Sequence, residues 1–227
     1  MKRSIFRTIC SFAVTTALIL TTAACSSQPT EPTENGDDTQ QEQSVEGEQF
    51  KIGILQLMEH DALDNARNGL LDALAEGGYV DGEKIVVDLQ NAQGDQSNLK
   101  TMSQKFVNDK EDLIVAIATP AAQSVAAETQ EIPILATAIT DYPEAGLVES
   151  NEVPNVNLSG TSDKTPVKEQ LALLKQILPD VKKVGIMYNS SEANSEVQAR
   201  AAIEACGELG LDYQEGTVTN VNDIQQV

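Results

Sequence analysis

The sequence predicts an α/β fold built from two doubly wound parallel-sheet lobes, and three observations point to it. Short apolar runs alternate with helical periods from Phe50 onward. Those runs are apolar along their whole length, as strands covered on both faces are. The order Lys, aliphatic residue, Gly, Ile, loop, long helix, Gly, strand occurs twice, from Lys51 and again from Lys183.

The elements follow in order. Phe50 to Leu57 reads as a strand, and Leu63, Ala66, Leu70 and Leu74 then recur at helical spacing until Gly77-Gly78 stops the helix. Ile85 to Leu89 is the second strand, followed by a helix carrying Leu99, Met102 and Phe106. Leu113 to Ala118 and Ile134 to Ala138 are the third and fourth strands, with a helix opening at Thr119-Pro120 between them. A second series starts near Val156 with a short strand to Gly160. Its helix carries Val167, Leu171, Leu174 and Ile177 and ends before Pro179. A strand from Val184 to Tyr188, a helix from about Glu192 to Glu208 and a strand from about Leu211 to Val218 complete the pattern, and Asn220 is placed to cap a further helix. Lobe one thus spans 50–161 and lobe two 162–227. A parallel sheet of two or three strands leaves an apolar edge unpaired, so we expect the second lobe to be truncated and the sequence to be a fragment of a longer protein.

The 227 residues carry 15 Lys and Arg against 35 Asp and Glu, a formal net charge of −20. That field disfavours nucleic acid, whose binding rests on clustered cations that neutralise phosphates. With 41% hydrophobic residues the chain can bury a core. The absence of Trp and the single His remove most histidine catalysis and multi-histidine metal sites.

The N-terminus reads as an address. Lys2, Arg3 and Arg7 precede an apolar run from Ile9 to Leu20, and Thr22-Ala23-Ala24-Cys25 closes it with small side chains. This is the pattern of a secretory signal over 1–24, not of a membrane span. The Cys directly after the small residues resembles the bacterial lipoprotein signal, which implies cleavage before Cys25 and acylation of that residue, hence an extracytoplasmic, lipid-anchored location at the cell membrane. An ordinary signal followed by a chance Cys is the competing reading. The stretch 25–49 is acidic and poor in aliphatic residues, and it reads as a flexible spacer. Cys206, in an Ala-rich helical pattern, reads as a small buried hydrophobe and not a nucleophile.

Open α/β sheets bind ligands beyond the carboxyl ends of their strands, where helix N-termini present free N–H groups. Gln56 and His60 follow the first strand. Thr119, Ala121, Ala122 and Gln123 follow the third, with Thr119 placed as N-cap and Pro120 at the first helical position. Asp141 follows the fourth. Thr161, Ser162, Asn189, Glu192, Asn194 and Ser195 hold the equivalent positions in the second series. Donors at helix starts beside a carboxylate suit a zwitterion, its carboxylate on the amides and its ammonium on Asp141. Each residue also has a plainer reading: capping alone for Thr119 and for Ser190 or Ser191, a turn before Pro143 for Asp141, a loop hydrogen bond for His60.

No cofactor is expected. Glu59-His60-Asp61 is too small a set for zinc, which wants three or four ligands, so no metal is expected either. Gly77 to Gly82 has the glycine spacing of a phosphate loop, but Glu83-Lys84 stands where Gly-Lys-Ser/Thr is required. There is no Gly-x-Ser-x-Gly elbow, no Gly-x-Gly-x-x-Gly and no His-Glu-x-x-His. Asn157-Leu158-Ser159 matches a glycosylation sequon, which carries little meaning behind a bacterial signal. Without a nucleophile and base pair the chain is not expected to be an enzyme.

Several motifs resemble one family. Gln56-Leu57 with Glu59-His60 and Leu63-Asp64, Asn91-Ala92-Gln93-Gly94-Asp95-Gln96, Thr119-Pro120-Ala121-Ala122-Gln123, Thr140-Asp141, Gly160-Thr161-Ser162-Asp163 and Tyr188-Asn189-Ser190-Ser191-Glu192-Ala193-Asn194-Ser195 resemble the substrate-binding lipoproteins of the tryptophan/tyrosine-type ABC importers. The resemblance runs from about Phe50 to the last residue. It implies a type I periplasmic-binding-protein fold, two lobes closing on an amino acid, often an aromatic one, and delivery to a permease driven by a separate ATPase. Asp141 is followed here by Tyr142-Pro143 where the family usually has Pro directly, which implies a shifted turn, and family members are longer. A tethered ligand sensor or scaffold is the alternative function, and a truncated fragment without function is a further one.

Overall fold

A computed structural model describes residues 49–227. The signal sequence, Cys25 and nearly all of the acidic spacer lie outside the described residues. The first sheet is built from β1 (Phe50–Gln56), β2 (Ile85–Asn91), β3 (Leu113–Ile117), β4 (Ile134–Ile139) and β5 (Leu158–Ser162). They lie in the order β2-β1-β3-β4-β5, and every pairing is parallel. Three helices link the first four strands: α1 (Asp61–Glu76), α2 (Gln96–Asp109) and α3 (Thr119–Glu128). The chain winds from β1 one way to β2 and the other way to β3, so the strand order reverses between β1 and β3.

Alternation along the strands fills both faces. On one face Ile52, Ile54, Ile85, Val115 and Ile117 pack under α1 through Leu63, Leu70 and Leu74. On the other, Leu55, Ile114, Ala136 and Leu158 pack with Leu99, Phe106 and Val125 from α2 and α3. The closest approach there is Phe106 on Gly53, since a Cβ at residue 53 would stand 2.8 Å from the ring. Gly53 is a glycine because the ring occupies the space of its missing side chain. The helix ends obey their local chemistry: the Asp95 side chain caps α2 by accepting from the Asn98 amide at 2.9 Å, and Gly77 closes α1.

The second unit holds β6 (Lys183–Asn189) and β7 (Asp212–Val218), again parallel, with α4 (Val167–Ile177) and α5 (Ala193–Leu209). α5 crosses between the two strands and ends at Gly210 in the left-handed region, where Gly costs least. Ala199, Ala205 and Cys206 are its buried residues, so Cys206 sits in the core and burial pushes its thiol up. Three sequence expectations shift. The strand ending near Gly160 is an edge strand of the first sheet and runs on to Ser162. The segment after Asn220 is a 3₁₀ turn over Val221–Gln226, not an α-helix, although the Asn220 side chain does cap it. The helix expected from Glu192 begins at Ala193 with Glu192 as its cap.

Phe106 touches both helix and sheet and is fully buried. Phe106→Ala is expected to lower stability by about 3–5 kcal/mol, read as a lower urea midpoint at unchanged slope.

Candidate functional site

Because the strands share one direction, every strand end named in the sequence reading lies on one edge of its sheet. The crevice between β1 and β3, where strand order reverses, is the position at which open α/β sheets take ligands. The loop 57–60 forms one wall and the start of α3 the other.

On the first wall His60 is exposed and caps α1, its Nδ1 accepting from the Ala62 amide at 3.2 Å. Gln56 is held within the protein. It is fully buried, its amide donates to the Met58 carbonyl and Asp64 Oδ1, both at 2.7 Å, and its Oε1 accepts from Arg67 at 2.9 Å. With each polar atom engaged it braces the β1–α1 loop. Asp64, part of a family-like motif, and Arg67, which carried no sequence signal, complete this brace.

On the second wall the helix start differs from the expected one. The N-cap is Ala118, not Thr119, and no side chain caps the helix. Ala118 adopts φ 86 and ψ 153, a conformation that costs an L-residue roughly 1–3 kcal/mol and is found where the surroundings enforce it, often at functional sites. Its amide continues the ladder to the Thr137 carbonyl at 3.0 Å, and its carbonyl accepts the Ala122 amide at 3.1 Å. The Ala122 N–H is therefore used inside the helix, while the amides of Thr119 and Ala121 have no intrahelical acceptor. Thr119 is 1% exposed, and its Oγ1 is buried without a hydrogen-bond partner. Gln123 reaches sideways to the Ala145 carbonyl at 2.9 Å and ties α3 to the turn after β4.

That turn opens with Asp141, whose Oδ1 accepts the Glu144 amide at 3.1 Å and whose Oδ2 pairs with Lys164 Nζ at 2.6 Å. The Lys164 ammonium, followed by the Glu144 amide, holds the Asp141 carboxyl below its ordinary range. Tyr142 anchors the turn. Its ring is buried, and its hydroxyl donates to the carbonyls of Ala136 at 2.9 Å and Thr161 at 3.1 Å, across the β4–β5 register shift. Gly160 leaves that route open, for a side chain there would collide with the Ala136 carbonyl and the Tyr142 hydroxyl. Thr161 shares a hydroxyl contact of 3.0 Å with Thr137, and Ser162 donates to the Thr140 carbonyl at 3.0 Å.

At the carboxyl end of β6, Asn189 organises the loop: its Oδ1 accepts from Ser191 and its amide donates to Glu192 at 2.8 Å. Neither Ser190 nor Ser191 caps α5, since the Glu192 backbone begins the helix. Asn194 and Ser195 stand in its first turn, and Asn194 Oδ1 is buried without a hydrogen-bond partner. α5 packs on α3, and Arg200 reaches Glu144 at 3.0 Å, so the first half of α5 lies beside the turn that Asp141 opens. Two of the three orphaned buried side-chain atoms among the described residues are thus in the first turns of α3 and α5.

Comparison with known proteins fits this arrangement. A family model described as "ABC transporter substrate binding protein" matches residues 51–227. The chain belongs to that family. A tyrosine-binding protein of Clostridioides difficile (strain R20291) is 43% identical over 178 residues, which make up 78% of this chain and 52% of that one. The chain therefore spans about half the length of this curated relative. A Streptococcus pneumonia ABC domain in complex with L-Trp is 40% identical with a TM-score of 0.76, over 78% of this chain and 60% of that one. A substrate-binding protein with adhesive properties from Clostridium difficile, solved ligand-free and open, is 47% identical with a TM-score of 0.60 over the same shares. The fold of the family is that of the type I periplasmic-binding proteins.

Burial pushes the Tyr142 hydroxyl up to about 12. Its folded value lies above its unfolded one, so its contribution to stability is complete below about pH 10 and lost as pH rises through about 12. An alkaline absorbance titration is expected to show a tyrosinate step near pH 12 that vanishes in Tyr142→Phe.

Proposed function

We propose that the chain is the solute-capturing part of an ABC importer, tethered through an acylated Cys25 on the extracytoplasmic face and closing two lobes, residues 50–161 and 162–227, on an amino acid. The observation that carries this reading is the pair of unsatisfied helix starts. α3 and α5, one from each lobe, each bring a buried polar atom without a partner, Thr119 Oγ1 and Asn194 Oδ1, to the carboxyl edges of their sheets. A buried group left unpaired costs about 1–3 kcal/mol, and a ligand that fills its hydrogen bonds recovers that cost. The amides of Thr119 and Ala121 then receive the ligand carboxylate, aided by the positive end of the helix dipole. Ser162, Asn189, Glu192 and Ser195 are the remaining polar groups of the proposed cleft.

The relatives support an aromatic amino acid, since one is named for tyrosine and another was solved with L-Trp. The chain also superposes better on the L-Trp complex than on the open, ligand-free relative, although it is less identical to the former. That supports a lobe arrangement close to the ligand-bound one. Delivery to a permease with a separate ATPase follows from the family, and those two genes beside this reading frame would favour import over a sensor.

Calorimetric titration with L-Tyr and L-Trp is expected to give binding in which each ligand at a hundred times its Kd stabilises the protein by about 2.7 kcal/mol. No heat and no thermal shift with any amino acid would remove the reading.

Asp141 is the proposed ammonium acceptor, and it is held by Lys164, which the ligand must displace. Asp141→Asn keeps the cap on Glu144 and is expected to raise Kd by about ten- to a hundredfold, the worth of a charged hydrogen bond. Lys164→Met, which frees the carboxylate, is expected to lower Kd. An unchanged Kd in both variants would take Asp141 out of the site.

A further inference from the structure

Away from the crevice, at the opposite end of α2, three carboxylates meet. Asp88 projects from the middle of β2, Asp109 is the last residue of α2, and Glu111 stands in the turn before β3. One carboxylate oxygen of each lies within 4.8 Å of the other two. We propose that Asp88, Asp109 and Glu111 form a divalent-cation site, with Ca²⁺ the ion they suit, in which the metal takes the place now held by the Lys105 ammonium. This goes beyond solute capture and does not depend on it.

Glu111 is the observation that points to a ligand. It is 7% exposed, and its Oε2 is buried without any hydrogen-bond partner. The Lys105 ammonium does not reach it; it pairs instead with Asp88 and, at 2.7 Å, with Asp109. Lys51, the other nearby cation, gives its ammonium to the Asp109 carbonyl at 3.3 Å. The cluster therefore holds more negative charge than its lysines neutralise. A carboxylate kept inside a fold without a donor is the expensive arrangement that an ion relieves.

Donor chemistry and coordination choose the ion. All three donors are hard oxygens, which suit Ca²⁺ and Mg²⁺ over zinc or copper. Metal–oxygen bonds of 2.3–2.6 Å let Ca²⁺ span opposing ligands about 5 Å apart, whereas Mg²⁺ at 2.0–2.1 Å spans about 4 Å. Oxygens within 4.8 Å of one another admit either span, and Ca²⁺ is favoured because its coordination is flexible, whereas Mg²⁺ demands near-octahedral geometry and gives up its water reluctantly. Asp109 and Lys105 are half-exposed, which leaves an entry path and room for water to complete the shell. The carbonyls at the end of α2 add the negative end of its dipole.

The test is calorimetric titration of the 227-residue chain with CaCl₂ at constant ionic strength, beside MgCl₂ and KCl. The expected result is Ca²⁺ binding with a midpoint of about 0.1–1 mM, the range of extracellular Ca²⁺ modules, and weaker Mg²⁺ binding. Glu111→Gln and the exposed Asp109→Asn are each expected to weaken it at least about tenfold. Lys105→Gln, which removes the competing ammonium, is expected to tighten it about fivefold or more. Ca²⁺ heats equal to those of KCl, or Glu111→Gln binding like the wild type, would mean only diffuse attraction to an acidic surface and would overturn the proposal, as would Lys105→Gln binding no tighter.

Discussion

The parallel direction of the strands is the constraint on which the rest of this structure depends. A parallel strand can be followed only by a crossover back to the starting edge, so every helix of the first sheet begins where a strand ends. The amide-rich starts of α1 and α3, the Asp141 turn and the Ser162 corner are therefore gathered on one edge without any local instruction to meet. Alternation packs both faces, and at this edge Thr119 Oγ1 stays buried without a partner. The strained backbone is found there too: Ala118 and Ala138, at the ends of neighbouring strands, both have positive φ. A chain that tolerates such conformations in two alanines is holding its backbone for a reason other than helix propensity.

Much of this was legible because its signals are periodic. The strands of the first sheet and the helices between them follow from apolar runs and helical spacing, and the positions after each strand follow from topology. The site was less legible where a residue's role depends on partners far along the chain. Gln56 stands where a ligand contact was expected, yet Asp64 and Arg67, eight and eleven residues on, consume its amide. Lys164 binds Asp141 from twenty-three residues away, so the carboxylate that reads as free in sequence is paired in the fold. The cap of α3 was misplaced by one residue because nothing about an alanine announces a positive φ. The carboxylates around Glu111 come from a strand, a helix end and a turn, and no spacing rule joins them.

Tyr142 ties the turn after β4 to the sheet. Its ring enters the core and its hydroxyl bonds the carbonyls of Ala136 and Thr161 across the β4–β5 register shift. The missing side chain of Gly160 keeps that route open. Asp141 opens the same turn, and its pairing with Lys164 and its cap on Glu144 coexist because they use different carboxylate oxygens.

The two units differ in how firmly they hold themselves, and this bears on how a ligand would act. The first sheet has a core on each face, whereas α4 contains no fully buried residue and β6 and β7 pack against α5. Cohesion in the second unit falls largely on α5, through Ala199, Ala205 and Cys206. The same helix carries Asn194 at its start and Arg200 on the flank that meets Glu144. That ion pair is solvent-exposed, and such pairs contribute roughly 0–1 kcal/mol, so it guides α5 toward the Asp141 turn without locking it there. A ligand bridging the first turns of α3 and α5 would add its hydrogen bonds in series with this weak contact. Its binding energy would then fall on the element that both closes the cleft and holds the second unit together, so ligand capture and consolidation of that unit become one event.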